Sequence, residues 1–327
     1  GGYGIFYQLL QTKDIVQGLW GTPPYVVSTA NNPSFPNPFA GTGPAAPLPG
    51  TGIGIYSGLA STPLNMQYNL NIQRDLSRGM VLTVGYTGSR GSHLLLTRDY
   101  NTPQLINGLW GTAGPNGTTT PNVRINTNFA GYSMRNSVGN SNYNGLIASL
   151  SRRFANHWQT QVSYTYSKSL DNGSAGQGAE AGPNQPNAPQ DPYNAAADYG
   201  RSSFDRTHAL RLSGLYELPG RGAILGGWRL TGVYTRTTGQ PITLFSGFDR
   251  SGLGGNSVRP NLAPGASGNP ILGGPVQYFD PSVFLLQQLG TIGNLGRSTL
   301  SGPGLSSMDA GLLKNFRVTK ISDVFNV

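Results

Sequence analysis

Along much of the chain, apolar and polar residues alternate one for one. In the run from Trp158 to Ser167, one parity holds Trp158, Thr160, Val162, Tyr164 and Tyr166, and the other Gln159, Gln161, Ser163, Thr165 and Ser167. A helix would scatter both sets around its circumference, whereas a strand sends successive side chains to opposite faces. The same division recurs where Met66, Tyr68, Leu70 and Ile72 oppose Gln67, Asn69, Asn71 and Gln73. Further alternating segments lie at 80–88, 142–152, 208–218 and 228–237, with weaker ones at 2–8 and 306–316. The pattern predicts eight strands. Their length of about eight to eleven residues is near what a tilted strand needs to cross a bilayer.

The connections between these segments are lopsided. Short ones lie at 75–79, 153–157 and 219–227, while the alternate ones span 9–65, 89–141, 169–207 and 238–301. Structureless loops of that size are rare inside compact soluble domains. Short turns on one rim and long loops on the other are what outer-membrane barrels show. The expected fold is therefore all-β, an antiparallel transmembrane β-barrel segment of about eight strands, with short periplasmic turns and long extracellular loops. Residues 1–327 read as one barrel domain. A weak internal repeat agrees. At an offset of 78 residues, Met80, Val84, Tyr86 and Thr87 fall on Trp158, Val162, Tyr164 and Thr165. A third hairpin aligns Trp228, Tyr234 and Thr235 with Trp158, Tyr164 and Thr165.

Aromatic placement points the same way. Trp158, Trp228 and Tyr216 stand beside short turns, and Tyr86, Tyr164, Tyr166 and Tyr234 toward the long loops. Rings of this kind prefer the headgroup zone, giving two girdles; the competing reading is the core of a soluble β-sandwich. The opposite parity then lines the lumen: Gln67, Asn69, Asn71, Gln73, Gln159, Gln161, Ser163 and Thr165, with Arg211 and Arg229. Such amides and hydroxyls can contact a solute or a plug, or simply form a wet wall.

Composition narrows the alternatives. Hydrophobic residues make up 37% and charged ones 11%, with 48 Gly and 24 Pro. That would approach disorder, but 10% aromatic residues in regular patterns argue against it. No apolar run is long enough for a membrane helix, which leaves strands as the only spanning element. With no cysteine, disulfides, thiolate metal sites and a cysteine nucleophile are excluded. The net charge is +9, yet the Arg residues are dispersed and no basic helix is present, so the charge suits anionic lipopolysaccharide or solute better than nucleic acid.

Candidate chemistry is sparse. There is no Gly-x-Ser-x-Gly elbow, and His93, His157 and His208 each stand alone, so the chain is not expected to be an enzyme. Gly176-Gln177-Gly178-Ala179-Glu180-Ala181 fits a loose dinucleotide pattern but sits in an Asn, Pro and Gly-rich loop, without the strand and helix that motif needs. Asp191, Asp198, Asp205 and His208 form the densest acidic cluster. Their spacing matches no calcium loop, which favours turn-capping carboxylates over a metal site. No cofactor is expected.

Several segments resemble the barrel of Oar-like TonB-dependent receptors. They include Asn71-Ile72-Gln73-Arg74-Asp75-Leu76 with Val84–Leu94, and Tyr143-Asn144-Gly145-Leu146 leading into Val162–Asp171. Phe204-Asp205-Arg206-Thr207-His208, Tyr216-Glu217-Leu218-Pro219-Gly220 and Asp309–Phe316 belong to the same set. The resemblance implies a barrel of about 22 strands. It also implies an N-terminal plug, with a TonB box energised from the inner membrane, neither of which this chain contains. The opening Gly1-Gly2-Tyr3-Gly4-Ile5 lies inside a strand pattern, and Ile321–Val327 resembles the start of another strand, so the chain reads as a fragment. The function so implied is uptake or export of a large, unidentified solute. Outer-membrane lipid, lipopolysaccharide and the TonB complex are the implied partners. A passive porin-like channel, a surface adhesin or a soluble glycan-binding β-protein are the alternatives.

Overall fold

Alternation becomes strand at every predicted segment. The computed structural model describes residues 1–9, 52–54, 61–127, 132–174, 189–253, 258–266 and 269–315. Among these, the eight strands of the main ladder follow in chain order: β1 (Gly2–Tyr7), β2 (Leu64–Leu76), β3 (Met80–Asp99), β4 (Tyr132–Ala155), β5 (Trp158–Asp171), β6 (His208–Glu217), β7 (Trp228–Thr237) and β8 (Leu305–Lys314). Each pairs antiparallel with its neighbours in sequence, so one sheet runs from β1 to β8 without a crossover. Gly52–Gly54 adds a short parallel partner to the start of β4, and Gly200–Arg201 an antiparallel one to the end of β5. β1 and β8 form the two edges, and the sheet is open between them.

Turn chemistry explains the short rim. Asn156 and His157, both at positive φ (52° and 70°), make a two-residue turn whose twist matches that of the flanking strands. Gly79, at φ 73°, closes the hairpin of β2 and β3. The third short connection carries one helical turn, Gly222–Leu225.

Two strands run well past the expected bounds. β3 has 20 residues and β4 has 24, about twice what a tilted strand needs to cross a bilayer. The extra length was hidden because the register shifts between Gly91 and Leu94 and again before Leu96, with His93 at φ 57°. Each bulge changes parity, so alternation fades while the ladder continues.

Across the ladder the apolar parities align. Ile72, Val84, Ala148, Tyr164, Leu210 and Arg236 are successive partners, as are Leu82, Leu150, Val162, Leu212, Tyr234 and Met308. One face is thus apolar from β1 to β8, with Leu70, Ile72, Tyr166, Leu230, Met308 and Leu312 all exposed on it. An exposed apolar surface of this extent marks a face that meets lipid or protein. The other face is mainly polar, interrupted by Phe6, Val81, Ile147, Leu215, Val233 and Leu313.

The buried interior lies outside this wall. Leu96, Trp110, Ala195, Val258, Leu295 and Leu300 are the buried hydrophobic side chains among the described residues, against eighteen buried polar or charged ones. Most belong to the long connections. Where they are described, these loops are ordered by bonds that alternation does not show. They fold into a cap with a polar core.

Candidate functional site

The ten predicted wall residues all share the polar face, in two groups. Gln67, Asn69, Asn71 and Gln73 lie on β2; Gln159, Gln161, Ser163 and Thr165 lie on β5, with Arg211 on β6 and Arg229 on β7. β3 and β4 separate the two. Around the second group the wall is hollowed by about 390 Å³, lined by Gln159, Gln161, Ser213, Gly214, Gly232 and Asp309. Gly311, of the polar parity, carries no side chain into this space, and Asp309 adds a carboxylate that alternation alone did not single out. Arg211 is exposed between Ser163 and Thr235. Arg229 is not available in the same way, because its guanidinium lies 2.6 Å from Glu217.

The aromatic residues form two sloping lines on the apolar face. The ladder row through Tyr86 on β3 passes Tyr166 on β5, two residues from Tyr164, and reaches the end of β7 four residues from Tyr234. The tyrosines therefore step one residue per strand. Trp158 on β5 and Trp228 on β7 step at the same rate. One residue of rise per strand spacing corresponds to a lean of about 35°, that of barrel strands. Because β3 and β5 run further toward the loops than alternation showed, Tyr86, Tyr164 and Tyr166 stand mid-strand rather than at a strand end.

Their polar tips point apart. Toward the loops, the Tyr86 hydroxyl donates to Asn144 at 2.5 Å, the Tyr164 hydroxyl lies 2.8 Å from His208 Nδ1, and Ser306 donates to the Tyr234 hydroxyl. Gly88 gives the Tyr68 ring room to lie across it, where a Cβ would stand 2.2 Å from the ring. Toward the short turns, Trp228 Nε1 donates to Ile224, Arg152 covers Trp158 at 3.6 Å, and Lys314 covers Trp228 at 4.7 Å. Tyr216 is the ladder partner of Trp158. Apolar ring bodies thus lie between two polar borders.

Above the wall, three loops interlock. The segments after β3, β5 and β7 meet where Trp110 N–H donates to Gly290, Gly290 N–H to Arg250, and Thr119 to Arg250. Trp110 stacks on Tyr193 with centroids 5.6 Å apart. Two buried ion pairs tie β5 and the loop after it to the loop after β7: Asp198 with Arg259 at 2.6 Å, and Asp171, the last residue of β5, with Arg297 at 2.5 Å. Gln190 accepts from Arg259 N–H and donates to Gly293. Buried charges hold only when paired and further hydrogen-bonded, and both arginines are.

The structure separates the acidic cluster. Asp198 faces Arg259, Asp205 lies 2.9 Å from Arg201, and Asp191 caps the N–H of Tyr193. His208 turns to Tyr164 on the other face. His93 sits at the β3 bulge, and His157 in a turn 4.0 Å from Glu217. The Gly176–Ala181 stretch, Phe316, Ile321–Val327 and most of 9–65 lie outside the described residues.

The family described as an outer membrane beta barrel domain matches residues 1–326. Among solved structures, the outer membrane transporter YddB from Escherichia coli is similar at a TM-score of 0.38 and 11% identity, over 60% of this chain. The chain spans 23% of that protein's length. No curated protein matches it.

Proposed function

We propose, from the premise that this chain belongs to the outer membrane β-barrel domain family and lies in the bacterial outer membrane, that it forms part of the wall of an Oar-like TonB-dependent receptor moving a large solute. The observation that carries the reading is one polar face, hollowed at Gln159 and Gln161, beneath a cap of interlocked loops. On this reading the polar face lines the lumen of a barrel of about 22 strands. Its amides and hydroxyls hydrogen-bond a solute, or a plug, without selecting strongly for charge. The aromatic lines act as girdles in the two headgroup zones, consistent with their outward-pointing polar tips. Capture falls to the loops and release to a plug pulled by the TonB complex. No catalytic step is part of the proposal.

Planar-bilayer conductance of the protein extracted from outer membranes tests this. A plugged receptor is electrically silent until mild denaturant unfolds the plug. A steady open conductance without denaturant would replace the receptor with a passive channel.

A further inference from the structure

The apolar face carries cations at both borders, but they are engaged differently. At the short-turn border Arg152 lies on Trp158 and donates to the Ala155 carbonyl, while Lys314 lies over Trp228. At the loop border stand Arg90, Lys168 and Arg236. Arg90 is four residues beyond Tyr86 on β3, Lys168 four beyond Tyr164 on β5, and Arg236 two beyond Tyr234 on β7. All three are exposed, and none forms an ion pair among the described residues.

Register places them in one sloping row. Arg90 is the ladder partner of Asn142, and Lys168 that of the next outward-facing residue on β4, Asn144. His208, partner of Tyr166, stands between Lys168 and Arg236. With strands leaning about 35°, the row follows the tyrosine line, about 11 Å beyond it at Arg90 and Lys168 and about 5 Å beyond it at Arg236. No carboxylate on the described strands opposes it: Asp75, Asp171, Glu217 and Asp309 have the parity of the polar face, and Asp99, beyond the β3 bulges, pairs with Arg124.

We propose that this row is a binding site for the phosphates of lipopolysaccharide, the anionic lipid of the leaflet that faces the loops. Tyrosine rings mark the boundary between acyl chains and headgroups. Unpaired cations a few ångströms beyond that boundary meet the phosphorylated glucosamines directly. Arginine and lysine donate charge-assisted hydrogen bonds to phosphate oxygens, and the Asn142 and Asn144 amides stand between two of the cations. The inference rests on the outer-membrane location and not on transport.

The test uses the protein extracted from outer membranes, stripped of lipid in mild detergent and checked for folding by heat-modifiable gel mobility. Lipid A retained per protein is measured by native mass spectrometry, with bisphosphorylated lipid A, its dephosphorylated form, or inorganic phosphate added. We expect the bisphosphorylated form to be retained and the dephosphorylated form to be lost; inorganic phosphate alone leaves no stable adduct. Each cation near an anionic surface contributes roughly a factor of five in affinity. The triple variant R90Q/K168Q/R236Q is therefore expected to bind about a hundredfold more weakly. R74Q, on the same face near the short turns, is expected to bind as wild type. R90K/R236K keeps the charge and most of the binding, and the single variant R236Q reports separately should the triple variant misfold. Equal retention by wild type and the Gln variants, or indifference to dephosphorylation, overturns the proposal. Binding of free phosphate as tight as that of lipid A would make the row a general anion site and overturns it too.

Discussion

The guanidinium of Arg297 lies 2.5 Å from the carboxylate of Asp171, a residue 126 positions earlier at the outer end of β5. Both side chains are more than nine-tenths buried. Arg297 also donates to the Asp171 backbone carbonyl, to the Asp198 carbonyl and to Ser174 Oγ. One side chain therefore fastens the last long loop to the wall and to the loop after β5.

Removing one partner of such a pair strands a buried charge, at about 3 to 5 kcal/mol. Arg297→Met is expected to raise amide exchange through 189–207 and 290–301 by about a hundredfold or more, leaving the β5–β6 ladder protected. Adding Asp171→Asn should restore part of the protection, because the stranded charge is gone. Unchanged exchange in the single variant would mean that the cap is held elsewhere.

Adjacent residues on β6 separate the two faces of the wall. Leu212 has the apolar parity and Ser213 the polar one. Leu212→Arg should cost about 2 to 4 kcal/mol in reversible folding into vesicles, and Ser213→Arg less than about 1 kcal/mol. The reverse order would invert the assignment of lipid and lumen.

His157 holds φ 70° in its two-residue turn, a conformation that costs a non-glycine residue about 1 to 2 kcal/mol. Its contact with Glu217 is 4.0 Å long with a largely exposed imidazole, and exposed pairs are worth little. His157→Gly is therefore expected to stabilise the hairpin by about 1 kcal/mol, read from the same vesicle folding equilibrium. A loss of stability would show that the Glu217 contact outweighs the backbone strain.

Asp280 accepts hydrogen bonds from the Ser282 N–H and hydroxyl at 2.9 and 2.7 Å, and these hold its carboxyl below the usual aspartate range. A lowered folded value means that the carboxylate's contribution is complete above the unfolded pKa and is lost as pH falls through the folded one. The Ser282 amide resonance should accordingly titrate at a lower pH than a free aspartate, and the step should vanish in Asp280→Asn. A midpoint at or above the free value would contradict the cap.

Much of the wall was legible in the residues themselves. Period-two runs located all eight strands, and 228–237 matched to the residue, because neither bulge nor break interrupts Trp228–Thr237. β3 and β4 were foreshortened because bulges scramble parity without ending a ladder. The ten wall residues kept their face, but nothing local reveals that Glu217 occupies Arg229, since that pair forms across a hairpin. The cap was illegible for a deeper reason. Its order comes from single side chains meeting across 61 to 126 residues, such as Arg259 with Asp198, and such pairings leave no period. The one available signal was complementary charge: aspartates in 169–207, and Arg250, Arg259 and Arg297 in 238–301.

The polar core of the cap also bears on how the protein assembles. A loop with a hydrophobic core would partition into the bilayer it must be carried across, whereas these segments are more at home in water before and after the passage. Their mutual fit appears only once the hairpin of β7 and the strand β8 bring Arg259 and Arg297 to Asp198 and Asp171, which β5 and its loop delivered earlier. Closure of the cap is thus a receipt for completed insertion: a protein whose later strands stall in the periplasm leaves two buried-type aspartates unanswered at the cell surface.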